Sequence, residues 1–165
     1  MRRYLFLAPL ILLLSACDIP DRVSKLEKET KEMQTERDRV SDYDLQAKCS
    51  KDARAWFNEN WSRDKDTVLL DFTNHYNKKG NKCFILVEFH YNNNFVGPGG
   101  TGWTNHMSLW DIYENSKYGE LVENHYTYFK PTVTTSNELV TCDMLGQKCK
   151  SMDEFNGFIR PYLNG

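Results

Sequence analysis

Cys49, Cys83, Cys142 and Cys149 are the side chains of this sequence best suited to covalent or metal chemistry. Structural zinc sites bring cysteines together in close pairs, about two to four residues apart. None of these four is spaced that way, so no metal site is expected. An even set of cysteines without metal spacing points to disulfides instead, provided the chain reaches an oxidising compartment. Three pairings are possible. Cys142 and Cys149 flank Leu145-Gly146 by the same offset and would face each other across a tight turn there. That pairing is preferred, and it leaves Cys49 with Cys83.

The run Gly97-Pro98-Gly99-Gly100-Thr101-Gly102 contains the spacing G-x-G-x-x-G. Dinucleotide binding requires that spacing between a strand and a helix, so that the helix N-terminus meets the pyrophosphate. The residues from Trp103 to Glu114 have strand character, and Pro98 removes a backbone donor, so no nucleotide cofactor is expected. The run is read as a connection between two hairpins. Gly97, Gly99, Gly100 and Gly102, with Trp103 and His106 beside them, are the candidate ligand loop.

The histidines, His75, His90, His106 and His125, show no helical metal-binding spacing. Each is expected on a strand or at the surface. No G-x-S-x-G nucleophile elbow occurs. Asp111 with Glu114, or Glu120 with Glu123, would supply a carboxylate pair, but their spacing singles neither out. The aromatic runs Phe89-His90-Tyr91 and Tyr126-Thr127-Tyr128-Phe129 are expected in strands, chiefly as core, with partner or glycan binding open to any that are exposed.

The elements that must position these residues follow from patterning. Leu45, Cys49, Ala53, Trp56 and Asn60 share one helical face, with Phe57 beside it. Thr67 to Tyr76 and Cys83 to Asn92 flank the turn-rich residues 77–82. His106 to Glu114 and Glu120 to Phe129 flank residues 115–119, and Leu139 to Met144 and Gln147 to Lys150 flank the Leu145-Gly146 turn. Ser151-Met152-Asp153-Glu154 fits a capping box, followed by an apolar stripe of Met152, Phe155, Phe158, Ile159 and Tyr162. The expected fold class is α+β: a small antiparallel sheet flanked by an N-terminal and a C-terminal helix.

Upstream, Pro20 to about Tyr43 is dense in charge and lacks glycine. Pairs such as Lys28 with Glu32 and Glu36 with Arg39 favour a helix of about 25 residues. Ile19, Leu26, Met33 and Val40 fall at the d positions of a heptad. The a positions, Val23, Thr30, Arg37 and Asp44, are mostly polar. The segment is read as a solvated spacer, with weak self-association as the alternative.

The first residues divide into a positive Arg2-Arg3 start, an apolar stretch from Tyr4 to Leu14, and Leu14-Ser15-Ala16-Cys17. The apolar stretch is shorter than the roughly 20 residues that span a bilayer and matches a secretory leader. Leu14-Ser15-Ala16-Cys17 resembles the lipobox of bacterial lipoproteins. The resemblance implies cleavage before Cys17, a diacylglyceryl thioether on its sulfur, and a third acyl chain on the new amino group. Each buried methylene is worth about 0.8 kcal/mol, so two or more chains make a stable anchor. Asp18 after the lipobox cysteine leans towards retention in the inner membrane, with the outer membrane as the alternative.

The expected organisation is therefore a signal peptide over 1–16, a lipidated charged tether over 17–43 and an α+β extracytoplasmic domain over 44–165. The chain carries 21 basic and 23 acidic residues, and removing Arg2 and Arg3 with the leader leaves 19 against 23. That balance lacks the basic footprint of a nucleic-acid binder. The functional expectation is an envelope lipoprotein with a non-catalytic binding domain and a protein partner. A small hydrolase or a self-associating structural lipoprotein are the alternatives. Within the domain, residues 75–84 resemble a motif of uncharacterised exported bacterial proteins, which carries no activity with it.

Overall fold

The computed structural model describes residues 19–93, 99–129 and 132–164. The leader, Cys17, Asp18, Gly97 and Pro98 lie outside the described residues. Packing divides the chain into two compact units, one ending at Ser41 and the other starting at Asp42.

Helix α1 runs over Ile19–Asn60. The spacer helix and the first helix of the domain, expected as separate elements, are one. The reason is local: nothing between Asp21 and Asn60 is glycine or proline, so a change from charged to amphipathic patterning changes what the helix packs on without ending it. In the first unit, Val23, Leu26, Met33 and Val40 are exposed, and i,i+4 pairs such as Lys28–Glu32 lie along the surface. No helix among the described residues is long and apolar enough to cross a membrane.

The second unit is an α+β domain. Six antiparallel strands form one sheet in chain order: β1 (Thr67–Asn77), β2 (Lys82–Asn92), β3 (Gly100–Asp111), β4 (Ser116–Tyr128), β5 (Thr134–Met144) and β6 (Gln147–Lys148). Helix α2 (Met152–Leu163) follows. The strands begin and end within a few residues of the expected runs, except that β3 starts at Gly100, β4 at Ser116 and β5 at Thr134, all earlier than patterning suggested; residues 116–119, expected in the loop, are strand.

Side chains alternate across a strand, so the sheet carries a core on each face, and β2 contributes to both. On one face Cys83, Ile85 and Val87 of β2 pack with Leu70 and Tyr76 of β1 beneath Cys49 and Ala53 of α1. On the other, Phe84, Leu109, Leu121 and Met144 pack beneath Phe155 and Ile159 of α2. The expected faces of both helices are the ones buried. Ser151 caps α2 as expected, accepting from the Glu154 N–H at 3.2 Å. The return bond of the box differs by one residue: Glu154 Oε2 accepts from the Lys150 N–H at 2.7 Å rather than from Ser151.

The four domain cysteines form two pairs at disulfide distance, Cys49 with Cys83 and Cys142 with Cys149, with Cα–Cα separations of 5.4 and 5.0 Å. The first ties α1 to β2. The second spans the Leu145-Gly146 turn, where both residues have positive φ, as a type I′ hairpin requires.

Candidate functional site

The two helices cover only part of the sheet. The partners of α2 lie towards the Phe84, Leu109 and Leu121 ends of β2, β3 and β4. Along the same face, towards the other ends of these strands, the side chains become polar and aromatic. Cross-strand register sets His90 beside Asn105, Asn105 beside Glu123, and Trp103 beside His125.

Trp103 is the centre of this patch. Its indole stacks on His125, with ring centroids 3.8 Å apart and planes within 10°. His90, on the neighbouring strand to the other side, lies 5.0 Å away, centroid to centroid. Trp103 nevertheless remains 38 % exposed. Each imidazole has a carboxylate two residues away on its own strand, and therefore on the same face. His90 Nε2 is 2.9 Å from Glu88 Oε1, and His125 Nε2 is 3.2 Å from Glu123 Oε2. The other nitrogen of His125, Nδ1, meets Asn137 Oδ1 of β5 at 2.9 Å, so Nδ1 carries the proton in that bond.

Three buried polar atoms in this patch lack an aligned hydrogen bond: Asn105 Oδ1, His90 Nε2 and His125 Nε2. The two imidazole nitrogens are nevertheless paired with their carboxylates at ion-pair distance. Asn105 is 4 % exposed, and its amide oxygen faces no donor among the described residues. A buried polar atom left unmatched costs about 1–3 kcal/mol. Most folds avoid that cost, and here it falls on Asn105, two residues along β3 from the partly exposed tryptophan.

The candidate ligand loop of the sequence is taken apart by this geometry. Gly97 lies outside the described residues. Gly99 sits in a turn at φ 113°, which favours glycine. Gly100 and Gly102 are strand residues of β3, facing Tyr128 and Tyr126 across the β3–β4 ladder. Trp103 and His106 are three residues apart on a regular stretch of β3 and so point to opposite faces. One ligand on one face cannot touch both.

His106 belongs to the α1 side. Its Nε2 meets Glu120 Oε1 at 2.7 Å, Lys117 Nζ meets the other oxygen of Glu120 at 2.8 Å, and Trp61 packs edge-on against the imidazole. Burial pushes the Glu120 carboxyl up, but Lys117 and His106 outweigh it and hold the group below the usual carboxylate range. Asp111, fully buried, is paired with Lys82 at 2.7 Å and accepts from the Tyr113 N–H. The partners of Lys82, Asp111 first and then Glu114, raise its ammonium pKa above the ordinary lysine range. These are fold-holding ion pairs at the ends of hairpins. No group of three or more metal-ligating side chains occurs among the described residues.

Patterning singled out Trp103 but not His90, Asn105, Glu123, His125 or Asn137 as its neighbours. They come from four different strands, and only the ladder register aligns them. No family model matches the chain, and comparison with curated proteins and with solved structures finds no match either.

Proposed function

We propose that this chain is an envelope lipoprotein, held to a membrane by lipid on Cys17, whose α+β domain binds a partner through the Trp103 face of its sheet. The observation that carries the binding half is the buried, unmatched Asn105 Oδ1 beside a partly exposed tryptophan that two carboxylate-paired imidazoles flank. A partner that supplies a donor to Asn105 Oδ1 would remove a desolvation cost that the free domain carries. Glu88 and Glu123, paired with the two imidazoles that flank the indole, favour a cationic group, which gains from both the carboxylates and the ring. An amine or guanidinium on an envelope protein is the chemistry that fits.

The anchoring half rests on the lipobox resemblance. The cysteine pairs support it: Cys49, Cys83, Cys142 and Cys149 are all engaged with one another, which leaves the thiol of Cys17 for acylation. The first unit then serves as spacer, its described helix from residue 19 to 41 being about 35 Å long at 1.5 Å per residue.

Two measurements test this reading. Cys17→Ser is expected to leave the protein unprocessed before residue 17 and without acyl chains; normal processing and membrane retention of that variant would refute the anchor. A photocrosslinking residue at Asn92, which faces Trp103 across the β2–β3 ladder, is expected to trap a partner in intact cells, and Trp103→Ala is expected to abolish the adduct. An adduct that survives Trp103→Ala, or none at all, would refute the site.

A further inference from the structure

The two outer edges of the sheet are treated differently. On β1, side chains from α1 and the segment after it occupy the edge: Gln46 Oε1 accepts from the Tyr76 N–H at 2.7 Å, and Arg63 donates to the Leu70 carbonyl at 3.1 Å. On β5, strand β6 pairs only with Asp143 and Met144, the Cys149 N–H adds a bond to the Cys142 carbonyl, and the pairing then stops. From Thr134 to Glu138 every residue is exposed, and among the described residues no hydrogen bond reaches the outer side of this stretch. The register with β4 skips Val140, so the regular edge runs from Thr134 to Leu139. It contains no lysine and no proline, the residues that commonly block edge pairing.

What satisfies a row of free N–H and C=O groups is another extended backbone. We propose that this edge of β5 pairs antiparallel with the same edge of a second copy of the chain, joining two sheets into one. Symmetry selects the register. A two-fold axis perpendicular to the sheet preserves its faces, so only residues of like parity oppose each other. Centred on Asn137, the pairing sets Thr135 against Leu139, Ser136 against Glu138, and Asn137 against itself. The one charge of the stretch, Glu138, then meets a hydroxyl. Moving the centre one residue towards Val140 brings the two Glu138 carboxylates together, a repulsive pair. Moving it the other way leaves Leu139 outside the pairing. A lipid anchor, if present, adds to this by confining copies to a surface, but the proposal does not depend on it.

The experiment uses the full chain as its own cells produce it, extracted in mild detergent if it is membrane-bound, and measures mass against concentration. The wild type is expected to show a monomer–dimer equilibrium. Ser136→Glu sets two like-charge pairs across the two-fold and is expected to weaken the dimer about fivefold. Adding Glu138→Lys to that variant turns both contacts attractive and is expected to restore it. Asn137→Cys is expected to give a disulfide-linked dimer in intact cells, whereas Val68→Cys, on the β1 side, gives none. A monomer at all concentrations would overturn the proposal, as would a dimer indifferent to both charge changes. So would a dimer lost in Leu26→Ser/Met33→Ser, which would assign self-association to α1. Trp103→Ala is expected to leave the dimer intact, so failure of the partner site and failure of the dimer are read separately.

Discussion

The two cysteine pairs close loops of very different length, and that difference sets a stability order. Cys49 and Cys83 are 34 residues apart, and Cys142 and Cys149 are seven apart. On the chain-entropy model, cross-linking removes about 2.1 + 1.5R ln n cal/mol/K from the unfolded ensemble. At 25 °C this gives about 3.8 kcal/mol for the first pair and about 2.4 kcal/mol for the second, a gap of about 1.4 kcal/mol. Packing losses on replacement do not reverse the order, because all four side chains are buried: Cys49 and Cys83 are 0 % exposed, and Cys142 and Cys149 are 4 and 6 % exposed. The comparison is Cys49→Ala/Cys83→Ala against Cys142→Ala/Cys149→Ala, each unfolded in urea. Trp56, Trp61, Trp103 and Trp110 all lie in the second unit, so indole emission follows the domain and ignores fraying in the first half of α1. With a urea slope of about 2 kcal/mol/M, the first variant is expected to unfold roughly 0.7 M earlier than the second. Equal midpoints, or a lower midpoint for the Cys142/Cys149 variant, would refute the loop-closure reasoning.

Three further outcomes follow from local geometry. Gly119→Ala places a methyl group against the Met144 sulfur, 3.0 Å from the Asp143 carbonyl and 3.3 Å from the Phe155 ring, so it is expected to cost about 1–3 kcal/mol in urea unfolding. Leu145 holds φ at 51° with its side chain 60 % exposed, and Leu145→Asn is expected to raise thermal stability by about 1 kcal/mol, because asparagine tolerates that conformation. Glu120 is held below its ordinary value of 4.5 in the fold, so its contribution is present above that pH and is lost as pH falls through the lower folded value. Glu120→Gln is therefore expected to be less stable than wild type at pH 7, with the difference closing below pH 4.5; a difference that stays constant with pH would rule out the linkage.

The elements of the domain were legible in sequence because their signals are local. The Ser151 cap, the Leu145-Gly146 turn and the equal offset of Cys142 and Cys149 each need only a handful of neighbouring residues. What was missed needed distant information. The early start of β3 at Gly100 was hidden by glycines, which carry no strand preference but here lie opposite Tyr128 and Tyr126 on β4. The early start of β5 was hidden by Thr134 to Asn137, exposed polar residues with no alternation to read. The continuity of α1 was hidden by a change in burial at Leu45 that does not alter backbone geometry.

The candidate site was half legible for a related reason. Trp103 and His106 were grouped by nearness in sequence, but three residues along a strand is an odd step and reverses the face. Nearness along the ladder is the relevant measure, and it links Trp103 to His125, twenty-two residues away, more closely than to any strand neighbour that patterning suggested. The same rule explains why the α2-covered core and the Trp103 patch occupy different stretches of the same strands. β2, β3 and β4 carry Phe84, Leu109 and Leu121 beneath α2, where apolar burial holds the sheet. Further along the same face they carry His90, Asn105 and Glu123. Those side chains contribute little to a core, and Asn105 Oδ1 is left unmatched. On the proposed reading this is where a partner gains most by docking, since a donor it supplies there meets an acceptor that the fold has already taken from water.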